Sequence, residues 1–215
     1  SKNHLTVLGI TNVKKFDNNK NKYFNSLVIL NNELKIQNIY NKIKLVPFGE
    51  FLPFENFLTK FGLKKITQGY NAFSSGDDRK IITLNKNFNN KLILPIVCYE
   101  IIYPGQLKKK NEFPDLIINI SEDAWFGDSI GPHQHFTKAV YRAIEEGIFI
   151  ARSANKGISA FIDPNGNIIK SLNTGEAGNI ELYFPQFIES TLFSVYGNKI
   201  FFLIIFLYIF TILIF

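Results

Sequence analysis

Lys91-Leu92-Ile93-Leu94-Pro95-Ile96-Val97-Cys98-Tyr99-Glu100 runs from an apolar segment straight into a polar one. Residues 92–97 read as a buried strand, and the only cysteine of the chain stands at its C-terminal edge. That edge is where open α/β folds place ligands and nucleophiles. A lone cysteine without context reads as a small buried apolar residue. Here the strand, the Tyr99-Glu100 pair and a helix expected over 101–110 make a sharp strand-to-helix turn, which presents a side chain to a cleft. On that ground Cys98 is read as a nucleophile.

Outward from this strand the chain alternates strands and helices. Residues 5–13 and 23–30 read as paired strands, and 34–40 continues into Tyr40-Asn41-Lys42-Ile43-Lys44-Leu45-Val46-Pro47-Phe48-Gly49-Glu50-Phe51, a strand end carrying a lysine and then a glutamate. Residues 81–84 pair with 92–97, and 115–120 is a short buried strand. Pro132 opens a helix whose Phe136, Ala139, Val140, Ala143, Ile144, Gly147 and Ile148 recur at three- and four-residue spacing, leaving Arg142, Glu145 and Glu146 off the stripe. The turn Asp163-Pro164-Asn165-Gly166 joins a hairpin of 157–163 and 167–171. The fold class is α/β with much antiparallel pairing.

Composition narrows the function. A chain of 215 residues suffices for one substantial α/β core. The net charge of +6 invites a nucleic-acid reading, but the lysines are scattered or in short clusters and no nucleic-acid-binding motif accompanies them. They read as a solvated surface, suited to anionic headgroups. One cysteine forms no internal disulfide. The chain begins at Ser1 and contains no methionine, which reads as a fragment or a cleaved product. His133 and His135 lie two apart, pointing apart on a helix, so no metal site is expected.

Residues 200–215 hold sixteen positions without a charge or a helix breaker. As a helix they would extend roughly 24 Å, against about 30 Å for a hydrocarbon core. A segment apolar on every side at the end of a domain this size reads as a membrane anchor over 199–215 rather than a core helix. The stretch 51–65, rich in phenylalanine and lysine, reads either as a core-packed helix or as an arm dipping into a lipid interface.

Lys42, Leu45-Val46-Pro47-Phe48-Gly49-Glu50-Phe51-Leu52-Pro53, Cys98-Tyr99-Glu100, Asp123-Ala124-Trp125-Phe126-Gly127 and Gly131-Pro132-His133-Gln134-His135 together resemble the bacterial apolipoprotein N-acyltransferase family, a membrane-bound branch of the nitrilase (carbon-nitrogen hydrolase) superfamily. The resemblance implies a four-layer α-β-β-α sandwich over 1–190, lacking its N-terminal strands, followed by a transmembrane helix over 199–215. It implies a Glu-Lys-Cys triad with Cys98 as nucleophile and Lys42 as its cationic partner, Glu50 as a second essential acid, and Tyr99 and Glu100 shaping the oxyanion and substrate pocket. The acyl donor would be a phospholipid and the acceptor the α-amine of a diacylglyceryl lipoprotein. No cofactor, metal or nucleic acid is implied; a monomer is expected in the bacterial inner membrane, its catalytic domain on the periplasmic side.

The physical reasons for these residue types stand apart from the resemblance. A thiolate is the reactive form of cysteine, and a neighbouring ammonium favours it. The same ammonium, with the Tyr99 N–H, would hold an oxyanion. Taken alone, Lys42 reads more readily as a surface lysine, Glu50 as an exposed loop carboxylate, and Glu100 as a helix N-terminal residue favoured by the macrodipole. The family's general-base glutamate has no counterpart in 1–40, where Glu33 sits in a turn, so this chain alone is expected to be inactive. Glu122 stands where the family usually has asparagine. A nitrilase-type amidase and a non-catalytic membrane-anchored module remain as other readings.

Overall fold

Among the described residues, two sheets and a helix packed on the larger of them build the domain. In the computed structural model the described residues are 4–15, 21–54, 57, 59–62, 72–109, 112–183 and 190–214. Strands β1 (Thr6–Lys15), β2 (Asn21–Leu30) and β3 (Ile36–Asn41) form an antiparallel sheet in that order. The second sheet has six strands in chain order: β4 (Ile82–Thr83), β5 (Leu92–Val97), β6 (Leu116–Glu122), β7 (Phe149–Asn155), β8 (Ser159–Ile162) and β9 (Ile168–Leu172). Its centre, β5-β6-β7, is parallel and its flanks are antiparallel. Helix α1 (Gly131–Glu146) makes the crossover from β6 to β7.

The parallel centre explains the unbroken apolar run of β5, since a strand covered on both faces has no solvent side to alternate with. Leu94 and Ile96 face α1 with Ile117, Ile150 and Ala139. Ile93 and Val97 face the small sheet, meeting Leu27, Ile29 and Tyr40. Pro95 inside this strand is tolerated because β4 pairs only with Leu92 and Ile93 and ends before the proline. The described residues thus stack in three layers, sheet on sheet on helix, in place of the four expected.

Three expectations need correction. The segment after Cys98 is a short 3-10 turn, Cys98–Ile102, and not a helix over 101–110; Pro104 and Gly105, the latter at φ +64°, interrupt it. The buried face of α1 carries Pro132, His135, Phe136, Ala139, Arg142, Ala143 and Glu146, so two charges expected outside are inside, while Ile144 is exposed. Burial is possible because Arg142 pairs with Glu145 at 2.6 Å and Glu146 faces Lys108. Desolvation pushes the Glu146 and Glu145 carboxyls up and the Arg142 guanidinium down.

The third correction concerns the C-terminus. A short helix α2 (Leu192–Tyr196), capped by Thr191, leads into α3 (Lys199–Ile214). This last element is a helix and apolar all round, as read from the sequence, and none of its residues is buried. Its sixteen residues extend about 24 Å. Among the described residues no helix is long and apolar enough to cross a membrane. Part of the stretch 51–65 lies outside the described residues; within it Phe54, Phe57 and Phe61 are exposed, so those three side chains do not pack in a core.

Candidate active site

Lys42 follows β3, and its backbone is held from both sides: its N–H donates to the Asn25 carbonyl and its carbonyl accepts from the Gly76 N–H, both at 2.8 Å. Residue 76 must be glycine, because a Cβ there would stand 2.3 Å from the Asn41 carbonyl oxygen. The lysine read as a surface side chain from composition alone is only 1 % exposed. A buried ammonium requires a partner. Its Nζ meets Glu50 Oε2 at 2.7 Å.

Glu50 is placed by a tight turn, its N–H donating to the Val46 carbonyl and its Oε2 accepting from the Val46 N–H, both at 2.8 Å. Asn25 Nδ2 donates to the other carboxylate oxygen at 2.7 Å. With acceptors this fully engaged, Glu50 serves as a fixed counter-ion to Lys42.

Cys98 ends β5 with φ +51°, a left-handed conformation that a side chain rarely adopts. The strand-to-helix elbow expected there is therefore present in its backbone even though the helix is short. The thiol is half-buried and packs against the inter-sheet cluster that includes Tyr40 and Ile43, the near neighbours of Lys42. Tyr99 sets its ring edge-on to Tyr103 at 5.7 Å, and Lys44 Nζ lies 5.6 Å from the centre of the Tyr103 ring.

Glu100 joins the two halves. Its Oε2 accepts from the Val97 N–H at 2.9 Å, just before the cysteine. Its Oε1 accepts from Tyr40 Oη at 2.8 Å, from the Ile43 and Lys44 N–H groups at 3.0 and 3.2 Å, and from Arg79 Nη2 at 2.7 Å. The side chain is wholly buried. It caps the 3-10 turn through the Val97 N–H, as an N-terminal residue of that turn, and locks the lysine loop onto the cysteine turn. Burial, and next the charge of Glu100, pushes the Tyr40 phenol far above its ordinary value, so it stays a donor.

Arg79, Asn25 and Tyr40 were not legible as site residues. Arg79 spans Glu100 and the Leu107 carbonyl, the latter at 3.0 Å. It lies in Ser75-Gly76-Asp77-Asp78-Arg79, a polar run with no periodicity to mark it as buried. On the far side of β5, Asp123 is buried and bonded to Ser121, His135 and Arg152, so His135 orients a carboxylate. Trp125 in the same motif is 68 % exposed. Glu122, the departure from the family pattern, accepts from the Asn155 amide at 2.8 Å and from the Ala124 N–H at 3.1 Å. Among the described residues no cluster of His, Cys, Asp and Glu is arranged to hold a metal ion.

A buried Lys-Glu pair at one strand end and a strained cysteine elbow at the next, tied together by a buried glutamate, coincide with a family match. The carbon-nitrogen hydrolase model matches residues 1–182. The chain belongs to the carbon-nitrogen hydrolase family. It is 38 % identical over 175 residues to the apolipoprotein N-acyltransferase of Bradyrhizobium diazoefficiens, covering 81 % of this chain and 32 % of that protein. To the apolipoprotein N-acyltransferase of Rickettsia prowazekii it is 44 % identical over 160 residues, covering 74 % of this chain and 31 % of that protein. The chain thus spans about a third of the length of these relatives. Among solved structures, an amidase of the nitrilase superfamily from Nesterenkonia superposes with a TM-score of 0.54 at 15 % identity, covering 80 % of this chain and 59 % of that one. At that identity the likeness speaks for the carbon-nitrogen hydrolase fold alone.

Proposed function

We propose that this chain is the acyl-transfer part of an apolipoprotein N-acyltransferase, with Cys98 as nucleophile. The single observation that carries the reading is the buried Lys42–Glu50 pair, anchored through Glu100 to the turn that bears Cys98. A carbon-nitrogen hydrolase needs a cation at its cysteine both to favour the thiolate and to receive an oxyanion. The similarity to apolipoprotein N-acyltransferases from two organisms supports the substrate class.

In the first half-reaction the Cys98 sulfur attacks the ester carbonyl carbon of a phospholipid. The Lys42 ammonium and the Tyr99 N–H hold the oxyanion, and the C–O bond breaks. The thiol proton, taken by the family's glutamate base, passes to the leaving alkoxide, so a lysophospholipid departs and a thioester remains. In the second, the α-amine of a diacylglyceryl-cysteine attacks the thioester carbonyl. The C–S bond breaks, an amide forms, and the amine's proton returns to the sulfur. Glu50 aims Lys42, Tyr99 lines the pocket, and Glu100 shapes it from behind by holding the lysine loop against the cysteine turn. No cofactor enters either half.

The apolar surface of α3 supports membrane association; placing the domain on the periplasmic side of the bacterial inner membrane, as a monomer, follows the resemblance to apolipoprotein N-acyltransferases alone. The test is transfer of an acyl chain from phospholipid to a synthetic diacylated lipopeptide by the full-length protein, with Cys98→Ala and Lys42→Ala alongside. N-acylated lipopeptide from the parent and none from either variant is the expected result. Free fatty acid in place of lipopeptide product would mean that water is the acceptor, as in an amidase. Full activity in either variant would end the assignment.

A further inference from the structure

On the helix face of the large sheet, directly across the parallel strands, Ile96, Asn119 and Arg152 stand in one row: Ile96 is in register with Asn119 and Asn119 with Arg152. This row lies two residues before Cys98. Asn119 Nδ2 donates to the Ile96 carbonyl at 3.2 Å, and Arg152 Nη1 donates to Asn119 Oδ1. Arg152 is 3 % exposed, a fully buried cation. Its other donors go to Asp123 Oδ2 at 2.7 Å and to the Ile158 carbonyl at 3.2 Å, and Nη2 lies 3.3 Å from His135 Nδ1.

Burying an arginine and an aspartate behind a strand end carries a desolvation cost that only close pairing and further hydrogen bonds offset. The geometry around Asp123 is tightly set: Ser121 and His135 occupy its Oδ1 at 2.6 and 2.8 Å, and residue 157 is glycine because a Cβ would reach Asp123 Oδ2 at 2.2 Å. Burial pushes the Arg152 guanidinium down, and the charge and hydrogen bond of Asp123 oppose that. The guanidinium is joined through Asn119 to the Ile96 carbonyl, two residues before Cys98 on the same strand.

We propose that Arg152 is a positioning residue of the nucleophile: fixed by Asp123 and Asn119, it ties the ends of β5, β6 and β7 together and sets a positive charge behind the strand that carries the thiol. Lys42 acts on Cys98 from the inter-sheet side, and Arg152 acts from the helix side. This rests on Cys98 being the nucleophile and adds a residue outside the Lys42–Glu50 pair.

The experiment is the pH profile of iodoacetamide alkylation in the full-length protein, followed at the Cys98 peptide by mass spectrometry. The charged and titratable groups on the elements packed about the Cys98 turn are Lys42, Glu50, Tyr40, Glu100 and Arg79 in the network of the lysine loop and Arg152, Asp123 and His135 in the network behind the strand. Arg152→Met is expected to move the alkylation midpoint to higher pH; a midpoint that rises from one pH to the next whole pH slows the reaction below it about tenfold. Arg152→Lys is expected to restore most of the rate. Asp123→Asn, which leaves Arg152 without its counter-charge, is expected to move the midpoint the other way.

Midpoints moving in opposite directions distinguish an electrostatic role from loosening of the fold, which would move Arg152→Met and Asp123→Asn together. Should Arg152→Met not fold, Arg152→Lys and Asp123→Asn carry the test. An Asp123→Asn profile that is unchanged or moved to higher pH overturns the proposal. The readout is independent of acyl transfer, so a failed transfer assay with the opposite movements intact would remove the substrate assignment and leave this device standing.

Discussion

The Lys42 ammonium and the Glu50 carboxylate stand 2.7 Å apart with both side chains withdrawn from solvent. Among the described residues neither group makes a second ion pair, so each is the other's one counter-charge. Glu50→Gln removes the counter-charge while keeping the shape. Acyl transfer by the full-length protein is expected to fall by about 10²-fold or more, the range for losing one oxyanion donor. Stability is expected to fall by about 3 to 5 kcal/mol, because a buried charge is left uncompensated. The double variant Lys42→Met/Glu50→Gln should recover stability in denaturant titration without recovering activity; a double variant as unstable as Glu50→Gln alone would contradict this account.

Glu100 and Arg79 form another buried pair, at 2.7 Å. Arg79→Met leaves Glu100 with four neutral donors and no cation. A loss of about 3 to 5 kcal/mol is expected in urea unfolding. Tyr40→Phe removes one hydrogen bond to the carboxylate and should cost less, about 1.5 to 3 kcal/mol. Equal losses in the two variants would mean that the cation contributes little to holding the lysine loop on the cysteine turn.

The positive φ of Cys98 gives a separate test of the elbow. Elsewhere in a strand or turn, alanine is the less costly replacement. At this position glycine escapes the left-handed penalty of about 1 kcal/mol, so Cys98→Gly should be at least as stable as Cys98→Ala in thermal unfolding. Clearly lower stability for the glycine variant would place the backbone in an ordinary conformation.

Asp123 supplies a pH dependence. Burial raises a carboxyl, but hydrogen bonding from His135 and the charge of Arg152 outweigh it and hold Asp123 below its ordinary value. A depressed folded-state value means stability that is present above the unfolded value, about pH 4, and lost as pH falls through the lower folded one. Asp123→Asn should therefore be less stable than the parent near pH 7, with the gap narrowing toward about pH 3. A gap that widens on acidification would contradict a depressed Asp123.

Much of this fold was legible from pattern. The strand after β5, the hairpin at Asp163-to-Gly166 and the Pro132 start of α1 are local signals, and each appears where the pattern puts it, while of 81–84 only Ile82 and Thr83 pair as a strand. What local pattern misses is burial of charge. Arg142 and Glu146 looked like the outer face of α1 because helical periodicity counts hydrophobicity, while pairing with Glu145 and Lys108 makes burial possible. Lys42 presented the same problem: on composition it was a surface lysine, and only the motif string argued otherwise. Arg79 and Arg152 carried no signal at all, since their partners lie 21 and 29 positions away in the chain. The helix expected after Cys98 failed for a local reason, the Pro104-Gly105 break.

The most direct test of the central claim is intact-mass analysis of the full-length protein after incubation with phospholipid and no acceptor, with Cys98→Ala as control. The expected result is a mass gain of one acyl chain, released by hydroxylamine and absent from the control. A folded protein that hydrolyses or transfers the donor's acyl chain without ever carrying it on Cys98, or that shows the adduct equally in the control, would contradict the claim.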